Sequence, residues 1–356
     1  MFDYRSRLVI LSLALAGAAG CSGGSGPATT PLPSAPSGTQ STAFQQTASA
    51  MQQAASAMQE AASPDKRGAT MYVASRDSNS VLGFASTANG NVAPVATITG
   101  SGTGLYAPVA LDVDHAGHIY VANDGDHIIK IFPKGANGDV VPKTLGGSYA
   151  PIAGTEGVTL DAQGQIYVSD YAGKAIYVFA KGSVGNVVPK RVITGSSTLL
   201  TEPCGMAVDA RGNLYVANYN DSTEPVVEFP NNANGNVAPS AVIGGSNTGI
   251  TEAFNVSLEN DGRIVVGNHY NTSVFVFAAG ASGNVAPVQT ISGSKTGLND
   301  VSSTGIDAKG HILVADFTNG GTLYTFASNA NGNVAPLHAI GGSATGMNSV
   351  YYPSEK

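Results

Sequence analysis

The strongest constraint on this chain is a period of about 48 residues. MYVAS at 71–75 returns as IYVAN (119–123), IYVSD (166–170), LYVAN (214–218), IVVGN (264–268) and ILVAD (312–316), at steps of 48, 47, 48, 50 and 48. A unit of that length built on strand-like segments is the signature of a propeller blade. Each unit resolves into four strands. In the second, ALDVD (110–114) turns through HAG into IYVAN, then HIIKIF (127–132), then a short strand near 143–145. Inner strands are predicted at 109–114, 156–161, 204–209, 254–259 and 302–307. A sixth is expected from SVYYP (349–353), which would complete the blade that opens at Met71. That closure joins the ring and leaves no open sheet edge. The fold class is therefore all-β, a six-bladed β-propeller of 24 antiparallel strands spanning 69–356.

Composition agrees. Gly is abundant at 45 residues, charged residues make up 12% and Trp is absent. Such a chain favours short strands and tight turns over helices. The net charge of −7 brings no basic stripe and argues against a nucleic-acid partner. The pattern of xGxIYVAD, a turn and IxVF, with Pro ahead of an inner strand, resembles the NHL-type six-bladed propellers over about 285 of the 356 residues. That family hosts enzymes, sensors and scaffolds, so the resemblance speaks for architecture more than for function.

The first 68 residues read differently. Residues 1–20 carry Arg5 and Arg7, an apolar run at 8–16, and the small residues Ala18, Ala19 and Gly20 before Cys21. The apolar run is too short to span a bilayer. The segment resembles a bacterial lipoprotein signal, which implies cleavage before Cys21, lipidation of its thiol and attachment to the cell envelope. Ser22 after the cysteine would imply the outer membrane in a two-membrane cell. An ordinary secretory signal is the other reading. Membrane contact is expected through the Cys21 lipid only. Residues 21–42 are mostly Ser, Gly, Pro, Thr and Ala after the cysteine and read as a flexible, disordered tether. Residues 43–63, with Phe44, Met51 and Met58 seven apart, read as a short Ala/Gln-rich helix.

NGNVAP stands at 89–94, 234–239 and 331–336, with near-copies at 137–142, 185–189 and 283–287. The register places it between the third and outer strands. Asn-Gly would supply a positive-φ turn, the Val-Ala or Val-Val pair would pack, and Pro would set the entry to the edge strand. Uniformity among blades marks it as structural. Specificity is expected on the opposite face, where the copies differ.

On that face two concentric sets follow the second strands. Ser75, Asn123, Asp170, Asn218, Asn268 and Asp316 are expected to cap turns. The next residues include Tyr171, Tyr219, His269 and Phe317 in four consecutive blades. These are either binding anchors for a protein, peptide or glycan, or packing beneath the entry loops. Glu202, Glu252 and Asp300 hold equivalent places, seven residues before the acid that ends each inner strand. With Asn255 they are either a Ca²⁺ or other divalent site or ordinary loop acids. A divalent ion at the channel mouth would resemble the six-bladed lactonases, a metal-dependent hydrolase or lyase. No GxSxG, phosphate loop or paired His ligand spacing is present. A non-catalytic binding or scaffold role with no cofactor is the leading expectation, and the lactonase-like enzyme the alternative.

Overall fold

A computed structural model describes residues 69–269 and 272–355. The expected signal peptide with Cys21, the tether and the 43–63 helix lie outside the described residues. Among the described residues no helix is long and apolar enough to cross a membrane.

Six four-stranded antiparallel sheets form six blades. The inner strands of blades 1 to 6 are Val350–Glu355, Pro108–Val113, Thr155–Leu160, Pro203–Val208, Ala253–Leu258 and Val301–Ile306. The second strands are Thr70–Ser75, Ile119–Asn123, Ile166–Asp170, Leu214–Asn218, Ile264–Asn268 and Ile312–Asp316. Blade 1 is completed by the last strand, paired antiparallel to Thr70–Ser75. The period thus fixes the second strands to the residue, except that the first gains Thr70. Five inner strands begin one residue ahead of expectation, whereas the closing strand begins one residue later, at Val350, and runs on to Glu355.

Every inner strand carries a register shift at its second or third residue, as between Thr155 and Gly157 or Pro203 and Met206. Such a bulge sets two residues against one and turns one side chain out of the pleat. Between blades the core is aliphatic. The Phe at the end of each third strand, or one residue before it in blade 1 (Phe84, Phe132, Phe179, Phe229, Phe277, Phe326), is almost fully buried. Burial of an aromatic side chain of that size contributes about 2–3 kcal/mol each.

The NGNVAP phrase does more than turn. It runs as a strap along the outer strand of the preceding blade. Its Gly forms a parallel bridge there in all six cases, from Ile98↔Gly138 round to Gly90↔Ile340. Gly138 donates its N–H to Thr97 O at 2.7 Å, and Gly90 to Ala339 O at 2.7 Å. The side chains finish the clasp. Oδ1 of the first Asn accepts from the neighbouring outer strand, as from Val192 N to Asn234 at 3.0 Å and from Ala339 N to Asn89 at 2.9 Å. The second Asn caps the turn beyond it, accepting from Ser197 N at Asn236 and from Ala344 N at Asn91, both 2.7 Å. Asp139 does the same for Thr103 N at 3.1 Å. Glycine is required on the facing turn: at Gly195, φ +120°, a Cβ would lie 2.6 Å from Asn236 Cγ. Positive φ at the phrase's own glycine holds as expected, for example +80° at Gly90. The Val-Ala pair does not pack as a pair. Val92, Val140 and Val237 are half-buried against the core clusters, while the next residue faces solvent, with Val141 77% exposed. A strap lying flat on a neighbour can bury only alternate side chains.

Candidate functional site

The face opposite the straps carries the loops after each second strand and the loops entering each inner strand. Ser75, Asn123, Asp170, Asn218, Asn268 and Asp316 all lie at 0% exposure there. They hold the entry loops. Asn123 Oδ1 accepts from Tyr106 N (2.8 Å), Asp170 from Ala153 N and Gly154 N (3.0 and 2.9 Å), and Asp316 from Asn299 N and Asp300 N (2.8 and 2.9 Å). Their role is the satisfaction of backbone donors, as short polar side chains at strand ends do.

The second residue of each inner strand sits at or beside the bulge. Round the ring these are Tyr351, Val109, Glu156, Cys204, Phe254 and Ser302. The next residues are Tyr352, Ala110, Gly157, Gly205, Asn255 and Ser303. Five of that six are small or modest in size, and Tyr352 uses the space. Its hydroxyl donates to Phe254 O in blade 5 at 3.2 Å, and its N–H donates to Ser303 Oγ at 2.6 Å. A Cβ on Gly205 in blade 4 would stand 2.7 Å from the Tyr352 hydroxyl. Tyr352 adopts φ +43°, a left-handed backbone seldom taken by an aromatic residue. It therefore plugs the channel from blade 1. Below the plug, on the strap face, is a cavity of about 220 Å³ bordered by Asp112, Asn255, Ser257, Thr304 and Glu355.

Above the plug lies the loop-face mouth, and it has two unlike sectors. One is aromatic. Tyr219 meets His269 edge-on at 5.6 Å, and His269 meets Phe317 edge-on at 5.5 Å. Phe254 stacks on His269 at 5.1 Å and contacts Tyr219 at 5.5 Å, and Phe317 contacts Tyr351 at 4.5 Å. Three of the four aromatic residues singled out by sequence are thus brought together, with Phe254 and Tyr351 joining them. Tyr219, Phe317 and Tyr351 are half-buried, whereas Phe254 and His269 are buried. Both sequence readings, anchor and packing, apply to different rings of the same cluster. Tyr171 lies apart, against Gly154 and near Asp124 and Glu156.

The other sector is charged. Arg76 stands 3.5 Å from Asp77 and 3.7 Å from Asp124. Glu156 is half-buried as a residue, but its Oε2 is sealed and has no hydrogen-bond partner. Burial, and then the Asp124 charge, push its carboxyl up to about 8, against the pull of Arg76. Burial likewise raises the neighbouring Cys204 thiol, with Glu156 and Glu202 adding to the effect. His269 is held below its ordinary value by burial, although Glu252 at 3.7 Å pulls the other way.

The four residues considered for a cation are dispersed in role. Glu202 accepts from Asn220 Nδ2 at 3.0 Å, and Glu252 faces His269. Asp300 receives Phe317 N on its backbone carbonyl at 2.9 Å. Asn255 Oδ1 accepts from Thr304 N and Oγ1, at 3.1 and 2.7 Å, and so ties blade 5 to blade 6. Among the described residues no group of three His, Cys, Asp or Glu side chains is placed to hold a metal ion. Sequence reasoning missed Glu156, Phe254 and Tyr351. Aligning the repeats at the second inner-strand residue was the available signal.

No protein-family model and no curated protein matches the chain. Solved structures do. A chain from the crystal structure of a nidogen/laminin complex superposes with a TM-score of 0.59 at 13% identity, covering 81% of this chain and 98% of that one. A protein of unknown function from Bacteroides caccae gives 0.56 at 11% identity over the same shares. The WD40 β-propeller domain of Doa1 gives 0.50 at 12% identity, covering 76% and 79%. At these identities what is shared is the β-propeller fold.

Proposed function

We propose that the chain is an NHL-type propeller acting as a non-catalytic binding or scaffold module, engaging a protein, peptide or glycan through the loop-face mouth. The supporting observation is the contiguous cluster of Tyr219, His269, Phe317, Phe254 and Tyr351, whose outer members keep exposed edges. Rigid aromatic surface beside polar groups makes good anchors at little conformational cost. The occurrence of the same fold in a nidogen/laminin complex is in keeping with a protein partner. Capture from native envelope extract by the mature chain tests the proposal. Tyr219→Ala with Phe317→Ala should lose the captured partner, while a change on the strap face such as Val141→Ser should keep it. Equal capture by all three proteins would refute the loop-face assignment.

The module is delivered, in this proposal, as an exported lipoprotein held to the cell envelope by Cys21. Radiolabelled fatty acid should enter the parent and not Cys21→Ser. Equal labelling of the two would refute the anchor.

A further inference from the structure

The inner ring at the mouth has one ionisable carboxyl, Glu156. Small side chains flank it, Val109 on one side and Cys204 on the other. Aromatic ones stand two places away in each direction, Tyr351 and Phe254. Buried carboxyl oxygens normally have a donor. Here Oε2 has none, and Oγ1 of the adjacent Thr155 is also buried without one. Arg76, the nearby cation, is already occupied by Asp77 and Asp124. The entry loops around the mouth add Glu202, Glu252 and Asp300, so the local field favours positive charge.

We infer that the mouth takes up the basic side chain of a protein or peptide partner, its alkyl stem against Tyr219, Phe254 and Tyr351 and its charge on Glu156. The inference rests on the loop-face reading above and names the chemistry that face selects. A cation on the carboxylate, with aromatic faces alongside, combines an ion pair with cation–π attraction. Other groups that face Glu156 are Asp124 and Arg76 from the loops of blades 2 and 1, Tyr171 from blade 3, Cys204 from blade 4 and Tyr352 from the closing strand. Neither the thiol nor the phenols, all raised by burial, contributes charge at neutral pH.

Protonation makes the inference distinctive. The free carboxyl holds its proton up to about pH 8. Binding of a cation must displace that proton to solvent. At pH 7 close to one proton leaves per cation bound, and affinity rises about tenfold per pH unit below 8 and then levels.

The test is calorimetry of the mature chain with n-butylammonium and n-butylguanidinium as side-chain mimics and n-butanol as the uncharged control. Runs in two buffers of different ionisation enthalpy count the protons. We expect saturable binding of a cation, at least tenfold weaker binding of butanol, and release of nearly one proton at pH 7. Glu156→Gln, which keeps the volume, should weaken cation binding tenfold or more and flatten its pH dependence. The inference falls if Glu156→Gln binds the cations equally, if butanol binds as well as they do, or if neither cation binds saturably. Butanol binding the parent as well as the cations do, with all three probes lost on Tyr219→Ala, would leave the loop face as the site and remove only the cation anchor.

Discussion

Glu156 gives the fold a measurable dependence on pH. Its carboxyl has an ordinary value of 4.5 when unfolded and holds its proton to about 8 when folded. Between those values the unfolded chain binds fewer protons than the folded one. Stability therefore falls as pH rises from 4.5 to 8, and the contribution is flat outside that window. At about 1.36 kcal/mol per unit the whole shift is worth about 5 kcal/mol. Solvent access to the half-buried residue reduces the observable part to about 2–3 kcal/mol. Glu156→Gln removes the titration and preserves the shape. Urea unfolding of parent and variant at pH 5, 6.5, 8 and 9 reads the difference. The two should agree near pH 5, and the Gln protein should then gain progressively to a plateau above pH 8. Glu259 and Glu355, also raised by burial, remain in both proteins and cancel. Parallel stability profiles from pH 5 to 9 would refute the argument, since no buried carboxyl would then be resisting ionisation.

Three more outcomes follow from the geometry. Replacing Asn234 and Asn236 together by Ala removes two solvent-edge hydrogen bonds of one strap and should cost about 1–2 kcal/mol in thermal unfolding. Asn89 and Asn91 at the ring closure should cost the same, and no loss in either pair would deny the straps a structural role. Gly205→Ala places a methyl 2.7 Å from Asn255 Cα and from the Tyr352 hydroxyl. It should cost about 1–3 kcal/mol and change the near-ultraviolet dichroism of the plug, as overpacking does. The Cys204 thiol, 2% exposed and raised by burial, should resist Ellman's reagent at pH 8 until urea unfolds the domain; rapid reaction of the native protein would contradict this.

Blade number and strand order were legible because hydrophobic patterning and turn residues recur at fixed spacing, so IYVAN or LYVAN announces a second strand wherever it occurs. Inner strands were less sharp because a bulge is a backbone event with no residue signature of its own. The straps were half legible. Asn-Gly in NGNVAP gives the turn, but the atoms that Asn234 and Asn236 bind lie about 40 residues earlier in another blade. Nothing local in the phrase names that partner. The aromatic residues Tyr219, His269 and Phe317 stood out because they replace one another at one register position. Glu156 did not, since a lone acid in a loop-to-strand junction looks ordinary until the ring of six inner residues is assembled around it.

The seam between blades 6 and 1 sets an order of events. Its side-chain bonds join residues 250, 253 and 273 apart, against 36 to 42 for the internal straps. Loop closure over such a span is entropically the most expensive step, and rates fall with the sequence separation of contacts. Blades 2 to 5 can assemble as an open crescent while synthesis continues. Blade 1 stays three-stranded, with an unpaired edge at Thr70–Ser75, until Val350–Glu355 is available. Ring closure is then the commitment step, and the open crescent is the species most exposed to pairing with the wrong chain.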